Sequence, residues 1–136
     1  MPAKNRSIPN ATVMPVLAYS DVRAAVAWLC RVFGFRERLQ IAEHRSQLLF
    51  EDGALVVKEG STKSAPRDSV LVRVANVDAH YERSKKADAK IVSPPTDYPF
   101  GERQYSVEDL EGRSWTFSQT IADANPGDWG GVLREP

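Results

Sequence analysis

The two halves of this sequence carry the same capping and turn signals in the same order. Residues 20–24 (SDVRA) align with residues 75–79 (ANVDA). Residues 50–53 (FEDG) align with residues 107–109 (VED) followed, after two further residues, by Gly112. Internal similarity of this kind indicates a duplicated supersecondary unit. The chain is therefore predicted to fold as two similar modules.

In the first half, the pattern predicts a strand, a helix and three further strands. Residues 12–19 (TVMPVLAY) are rich in strand formers, and Pro15 makes this an edge strand or a bulged one. Ser20 and Asp21 are good N-cap residues, and apolar residues recur at helical spacing over residues 22–33 until Gly34 stops the helix. Short apolar runs over residues 35–58, around a turn at 51–53, predict three antiparallel strands.

The second half repeats this βαβββ order. We expect a polar linker over residues 60–68, a strand over 69–74 and a helix that begins after Asn76 and reaches residue 87. A strand over 90–92 and a hairpin over 103–118, turning at 109–112, complete the module. The predicted fold class is α+β, with two βαβββ modules (12–59 and 69–118) and a tail (119–136) in one domain, 1–136.

Composition restricts the partners of such a chain. With 136 residues, 42% hydrophobic and 26% charged, it has the balance of a folded protein. Its formal net charge of zero argues against nucleic acid as a partner. The longest mostly apolar stretch, residues 13–19, is too short to span a membrane, and a single cysteine forms no intrachain disulfide. We therefore expect a cytoplasmic protein that contacts neither membrane nor nucleic acid.

Three segments carry a resemblance to a known family. The opening segment "MPVLAYSDVRAAVAWLCRVFGF", the closing segment "FGERQYSVEDLEGRSWTF" and the tail "PGDWGG" resemble the vicinal oxygen chelate superfamily, which includes glyoxalase I, extradiol dioxygenases and fosfomycin- and bleomycin-resistance proteins. The resemblance covers residues 12–118. It implies a curved mixed sheet around a small-molecule cavity, helices on the outer face, and a homodimer.

The positions at which metal-dependent relatives carry His, Gln or Glu hold other residues in this chain. These positions fall on Met14, Val57, Ser69 and Thr116. Side chains of these types are poor ligands for hard or borderline metals. His44 and His80 have no carboxylate at ligand spacing, and we interpret both as solvated surface residues. We therefore predict no metal and no other cofactor.

Strand alternation predicts which residues face a cavity, because successive side chains point to opposite faces. If the apolar positions of the second module pack against its helix, a largely polar set points the other way. The predicted ligand-binding residues are Arg73, Gln47, Gln104, Ser106, Thr116, Ser114 and Ser69. Arg73 is suited to grip an anionic or strongly accepting oxygen. Its alternatives are an ion pair with Glu59 or exposure at an open rim.

Aromatic residues and Cys30 offer further candidates. We expect Trp115 in the core, Trp129 free to stack on a ligand, and Tyr98 and Phe100 in a Pro-rich loop at the cavity mouth. Cys30 is predicted to be a small core residue rather than a nucleophile.

These observations favour a metal-independent small-molecule binding protein of the glyoxalase/bleomycin-resistance type that sequesters a drug or metabolite. The alternatives are a glyoxalase-like lyase or isomerase, a dioxygenase-related enzyme with an unrecognised metal or acid/base site, and an interaction module without a cavity. Motifs of phosphate loops, dinucleotide sites, serine hydrolases and zinc proteases are missing from the sequence.

Overall fold

The computed structural model describes residues 4–61 and 68–134. The chain divides into two compact units, Met1–Ala65 and Pro66–Pro136. Each unit contains one four-stranded mixed sheet and one main helix. The prediction of an α+β fold built from two βαβββ modules is therefore confirmed. Most of the predicted linker (60–68) lies outside the described residues.

The first unit forms the sheet β1-β4-β3-β2. Its elements are β1 (Val16–Tyr19), α1 (Val22–Trp28), a π-helical turn (Leu29–Phe33), β2 (Arg36–Ile41), β3 (Arg45–Phe50) and β4 (Gly53–Glu59). β1 is parallel to β4, whereas β2, β3 and β4 pair antiparallel. β1 lies at the sheet edge, as Pro15 predicts, but it is shorter than expected and begins only after that proline.

The second unit repeats this topology as the sheet β5-β8-β7-β6. Its elements are β5 (Ser69–Arg73), α2 (Val77–Lys86), β6 (Lys90–Tyr98), β7 (Glu102–Glu108), β8 (Ser114–Thr120) and a short 3₁₀ helix (Pro126–Asp128). β5 is parallel to β8, and the other neighbours are antiparallel. None of the helices in the described parts of the chain is long and apolar enough to cross a membrane.

The capping signals of the repeat act as predicted. The side chain of Asp21 accepts a hydrogen bond from the backbone N–H of Ala24, and Asn76 does the same for Ala79. Each cap satisfies one of the backbone donors that a helix N-terminus leaves open, which stabilises the helix by about 1 kcal/mol. Gly34 ends the first helical segment with φ of 89°, a left-handed conformation that suits glycine.

In each unit, the residue two positions after the N-cap forms an ion pair between the helix and its sheet. The helix residue is basic in the first unit and acidic in the second. In the first unit, Arg23 of α1 donates to Glu37 of β2. In the second unit, Asp78 of α2 accepts from Arg103 of β7. Such partly exposed pairs contribute little to stability, so they orient the helices more than they stabilise the fold.

In the second unit, the face toward α2 forms an aromatic core. Tyr105, Trp115 and Phe117 are fully buried, which confirms the prediction for Trp115. His80 of α2 stacks on Phe117 with ring centroids 4.0 Å apart, and its Nδ1 lies 2.6 Å from the Tyr105 hydroxyl. The interpretation of His80 as a solvated surface residue is therefore wrong. Helical spacing places it on the packed side of α2. His44, in contrast, is exposed.

β6 is the largest departure from the sequence prediction. The predicted strand ends at residue 92, and the following Pro-rich segment is predicted to be a loop. In the structure, β6 continues through Pro94 and Pro95 to Tyr98. β6 is an edge strand, and its register with β7 shifts at two places between Ile91 and Thr96. An irregular edge strand tolerates proline because a missing N–H need not interrupt a ladder.

Candidate functional site

The second sheet has a polar face on the side away from α2. Tyr105 contacts His80 of α2. Its two neighbours in β7, Gln104 and Ser106, therefore point to the opposite side of the sheet. Cross-strand partners share a face. Three cross-strand rows form this polar face: Ser69, Ser114, Glu108 and Lys90; Leu71, Thr116, Ser106 and Ser93; Arg73, Ser118, Gln104 and Thr96. Six of the seven predicted ligand-binding residues lie in these rows.

Hydroxyl and amide groups on the polar face are already joined in pairs. Ser106 Oγ lies 2.9 Å from Thr116 Oγ1. Gln104 Nε2 donates to Ser118 Oγ at 3.1 Å, and Ser118 Oγ in turn donates to a carboxylate oxygen of Glu102 at 2.6 Å. Such contacts hold these side chains in defined orientations, which lowers the entropy lost when a ligand binds.

Arg73 and Glu102 place opposite charges at one end of the polar face. Burial raises the pKa of Glu102, but hydrogen bonds from Ser118 and Thr120 and the charge of Arg73 outweigh it, so that this pKa lies below its ordinary value. Glu102 is therefore ionised at neutral pH. Arg73 is exposed, and no carboxylate in residues 4–61 or 68–134 forms an ion pair with it.

Gln47, the seventh predicted residue, lies in the first sheet. It pairs with Val56 of β4 and Leu39 of β2. Its neighbour Ser46 donates to Glu37, the partner of Arg23 on α1, so Gln47 points away from that helix. The Gln47 side chain is only 6% exposed, because its carboxamide contacts Arg38 and the backbone near the N-terminus.

The strand registers correct one of the four predicted metal positions. Val16 on β1 pairs with Val56, and the equivalent Leu71 on β5 pairs with Thr116. Val56, not Val57, is therefore the counterpart of Thr116. Val57 is fully buried on the side toward α1, opposite Ser46. The error comes from aligning Gly53 with Gly112, because the two turns differ in length.

None of the corrected positions holds a metal-binding side chain of the usual types. They are occupied by Met14, Val56, Ser69 and Thr116. Across the two described ranges of the chain, no three His, Cys, Asp or Glu side chains are grouped closely enough to hold a metal ion.

Three aromatic rings adjoin the polar face at its β6 edge. Tyr98 pairs with Glu102 across β6 and β7 and stacks on Phe100, with ring centroids 5.3 Å apart. Phe100 contacts Trp129 at 5.5 Å, and Trp129 is 44% exposed. Sequence reasoning named these aromatics but assigned Tyr98 to a loop. It also missed Thr96 and Lys90, because their face depends on the register of the bulged strand.

Cys30 lies half-buried in the π-helical turn that follows α1, and burial raises the pKa of its thiol. A raised pKa leaves the group mainly in the thiol form at neutral pH, which makes it a poor nucleophile. Cys30 is, however, only half-buried and lies outside the core to which the sequence prediction assigned it.

Comparisons with known proteins identify similar sequences and structures. The family model described as Glyoxalase/Bleomycin resistance protein/Dioxygenase superfamily matches residues 11–117. TioX from Micromonospora sp. ML1 is similar in structure, with a TM-score of 0.71, 36% identity and coverage of 85% of this chain and 100% of its own. A glyoxalase/bleomycin resistance protein/dioxygenase from Nocardioides is also similar (TM-score 0.69, 19% identity, 93% of this chain and 91% of its own).

The fosfomycin resistance protein FosX from Listeria monocytogenes shares the fold at 16% identity, with a TM-score of 0.67 and coverage of 82% of this chain and 94% of its own. Comparison with curated proteins returns no significant match. The resemblance stated from the sequence is confirmed by the family match across both modules: this chain belongs to the glyoxalase/bleomycin resistance protein/dioxygenase superfamily.

Proposed function

We propose that this protein binds a small organic molecule without a metal and acts by sequestering a drug or metabolite. The observation that carries the proposal is the polar face of the second sheet, where a guanidinium, hydroxyls and a carboxamide occupy positions that strand alternation directs away from the core. A site with a few oriented polar groups and adjoining aromatic surface has the composition of a small-molecule binding site.

The chemistry of this face selects a ligand with an anionic or strongly accepting oxygen. Arg73 supplies the charged donor, and Gln104, Ser106 and Thr116 supply neutral hydrogen-bonding groups in the neighbouring rows. Ser69 and Ser114 extend the same face. Gln47, on the first sheet, is proposed as a separate candidate for ligand binding. The hydroxyl and amide groups of the polar face already contact one another, so a ligand would use the lone pairs and N–H groups that these contacts leave open.

The adjoining aromatic rings suit a flat apolar part of the same ligand. Tyr98 pairs with Glu102 at the edge of the polar face, and Phe100 and Trp129 extend the aromatic surface away from it. Stacking on such rings contributes about 0.5–1.5 kcal/mol beyond the burial of area. We propose that the aromatic residues named from the sequence bind this flat part of the ligand.

Metal independence rests on the four ligand positions. Met14, Val56, Ser69 and Thr116 supply no imidazole and no carboxylate, whereas a catalytic metal needs about three protein ligands of such types. The test is elemental analysis of protein purified without chelator. One tightly held zinc, nickel, manganese or iron per chain would overturn the proposal and favour a lyase, isomerase or dioxygenase.

Ligand binding is tested by a thermal-shift screen of small molecules. A ligand at one hundred times its dissociation constant stabilises the folded state by about 2.7 kcal/mol, which gives a clear rise in melting temperature. With a ligand in hand, Arg73→Ala should weaken binding about tenfold or more. Lys86→Ala, on the exposed side of α2, removes the same charge and serves as the matched control. Equal affinities of the two variants would contradict the role of Arg73.

We further propose that the protein is a cytoplasmic homodimer and that both modules belong to one functional domain. The family resemblance and the single cysteine support these proposals. Each sheet also ends in two edge strands, and native proteins commonly cover or pair such strands.

A further inference from the structure

A short segment before β1 contacts the face of the first sheet that points away from α1. We call residues 4–8 the N-terminal strap. The Ser7 carbonyl accepts a hydrogen bond from Gln47 Nε2 at 2.8 Å, and the Arg6 carbonyl accepts one from Arg38 at 2.8 Å. The next residue along the chain, Pro9, is buried, so the strap has a fixed point at its C-terminal end.

Arg38 and Gln47 form a single donor unit. One nitrogen of the Arg38 guanidinium donates to Gln47 Oε1 at 2.7 Å, and the other donates to the strap. This contact holds the carboxamide so that its NH₂ group faces the Ser7 carbonyl. One donor from each side chain therefore points at one of two consecutive backbone carbonyls, which are linked through the Ser7 nitrogen and Cα.

The present partners do not satisfy the charge of Arg38. Both its acceptors are neutral oxygens, and no carboxylate among the residues that the structure describes forms an ion pair with it. Guanidinium groups bind carboxylates more strongly than neutral carbonyls, with charge-assisted hydrogen bonds about twice as strong. A molecule that offers a carboxylate at the same spacing would therefore be a better partner than the strap.

We propose that Arg38 and Gln47 form a binding subsite for an N-acyl amino acid group, and that the strap occupies this subsite until such a ligand displaces it. An N-acyl amino acid carries an amide carbonyl and a carboxylate joined through one N–H and one α-carbon, which is also the linkage between the Arg6 and Ser7 carbonyls. Such a ligand would lie in the chain direction opposite to that of the strap, with its carboxylate on Arg38 and its amide carbonyl on Gln47. The inference rests on the proposed small-molecule binding function and names the ligand class for this subsite of the first sheet. It also makes Arg38, which the sequence reasoning did not select, a specificity-determining residue.

A ligand of this subsite must compete with the strap, which is covalently attached to the protein. The strap belongs to the same chain as the subsite, so it competes at an effective concentration on the order of 1 mM. A neutral ligand that makes the same hydrogen bonds gains nothing over the strap. Exchanging a neutral for a charged acceptor gains a factor of about ten, so a carboxylate ligand displaces the strap where its amide does not.

The test uses the isotope-labelled full chain and two small probes, N-acetylglycine and its neutral counterpart N-acetylglycinamide. The side-chain NH₂ resonances of Gln47 are followed by NMR at constant ionic strength. We expect saturable shifts with N-acetylglycine and an affinity at least about tenfold lower for the amide. An unmoved Gln47 resonance, or equal responses to both probes, would overturn the proposal. This comparison needs no variant, so misfolding cannot obscure it.

Displacement of the strap is measured separately by trypsin cleavage after Arg6. The peptide bond that follows Arg6 includes the carbonyl held by Arg38, so docking should protect it. We expect N-acetylglycine to speed this cleavage, and Arg38→Gln to speed it without any probe. Arg36→Gln, an exposed position on the same strand, should cleave at the wild-type rate. Cleavage of Arg38→Gln at the rate of Arg36→Gln would refute the strap contact.

The two proposals fail separately. If the Gln47 resonances do not respond while a screened ligand still depends on Arg73, the subsite is refuted and the binding function stands. If no screened ligand binds but N-acetylglycine shifts Gln47 and releases the strap, the site on the second sheet is refuted and the subsite stands.

Discussion

The turn between β7 and β8 depends on one buried carboxylate, and a substitution there offers a quantitative test of the structure. Asp109 Oδ2 accepts a hydrogen bond from the indole Nε1 of Trp115 at 3.0 Å. Oδ1 accepts from the backbone N–H groups of Glu111 and Arg113, each at 3.0 Å. Asp109 is 6% exposed and Trp115 is fully buried. The turn therefore aligns the two strands that carry Ser106 and Thr116.

Asp109→Asn keeps the shape of the side chain but turns one acceptor into a donor. If the new NH₂ group faces Trp115, the indole N–H loses its acceptor in a site that water does not reach. If it faces the turn, two backbone N–H groups lose theirs. Leaving one buried donor unsatisfied costs about 1–3 kcal/mol, so we expect the free energy of unfolding to fall by about 2 kcal/mol or more.

A double-mutant cycle isolates the contact with the indole. Trp115→Phe removes the donor, so Asp109→Asn should cost less in that background than in the wild type. The expected coupling energy is about 1–3 kcal/mol. Urea unfolding followed by far-UV circular dichroism provides all four stabilities, with unchanged m-values as the check on two-state behaviour. A coupling energy below about 0.5 kcal/mol would show that the indole does not depend on Asp109.

Three further predictions concern stability and assembly. Burial raises the pKa of Tyr105 to about 12, so the unfolded chain loses this proton first as the pH rises above about 10, and up to about 3 kcal/mol of stability should disappear between pH 10 and 12. The urea midpoint of Tyr105→Phe should not show this decline between pH 10 and 12. If the midpoints of variant and wild type fall in parallel with pH, the prediction is wrong. Gly101→Ala should destabilise more than Gly112→Ala. Both glycines have positive φ, but only a Cβ at Gly101 would lie 2.4 Å from a backbone oxygen, that of Ala122. Equal melting temperatures would refute this difference. Light scattering at micromolar concentration should give twice the chain mass of 15.1 kDa, and a monomer mass would remove the proposed dimer.

Local signals in the sequence determined the elements and the faces of most strands. Asp21 and Asn76 cap their helices because a capping side chain needs only the backbone three residues ahead. Alternation separated Trp115 and Phe117 in the core from Thr116 on the polar face, because successive strand residues point to opposite sides. These properties depend on neighbours within a few residues, and a single sequence records them.

Tertiary structure decided the properties that depend on distant partners. Strand register made Val56 rather than Val57 the counterpart of Thr116, and a one-residue shift in register moves a side chain to the other face. An edge position allowed β6 to continue through two prolines that a local rule assigns to a loop. Gln47 found its backbone partner 40 residues earlier in the chain, at Ser7. No local pattern encodes such a contact, because only the folded backbone brings its two ends together.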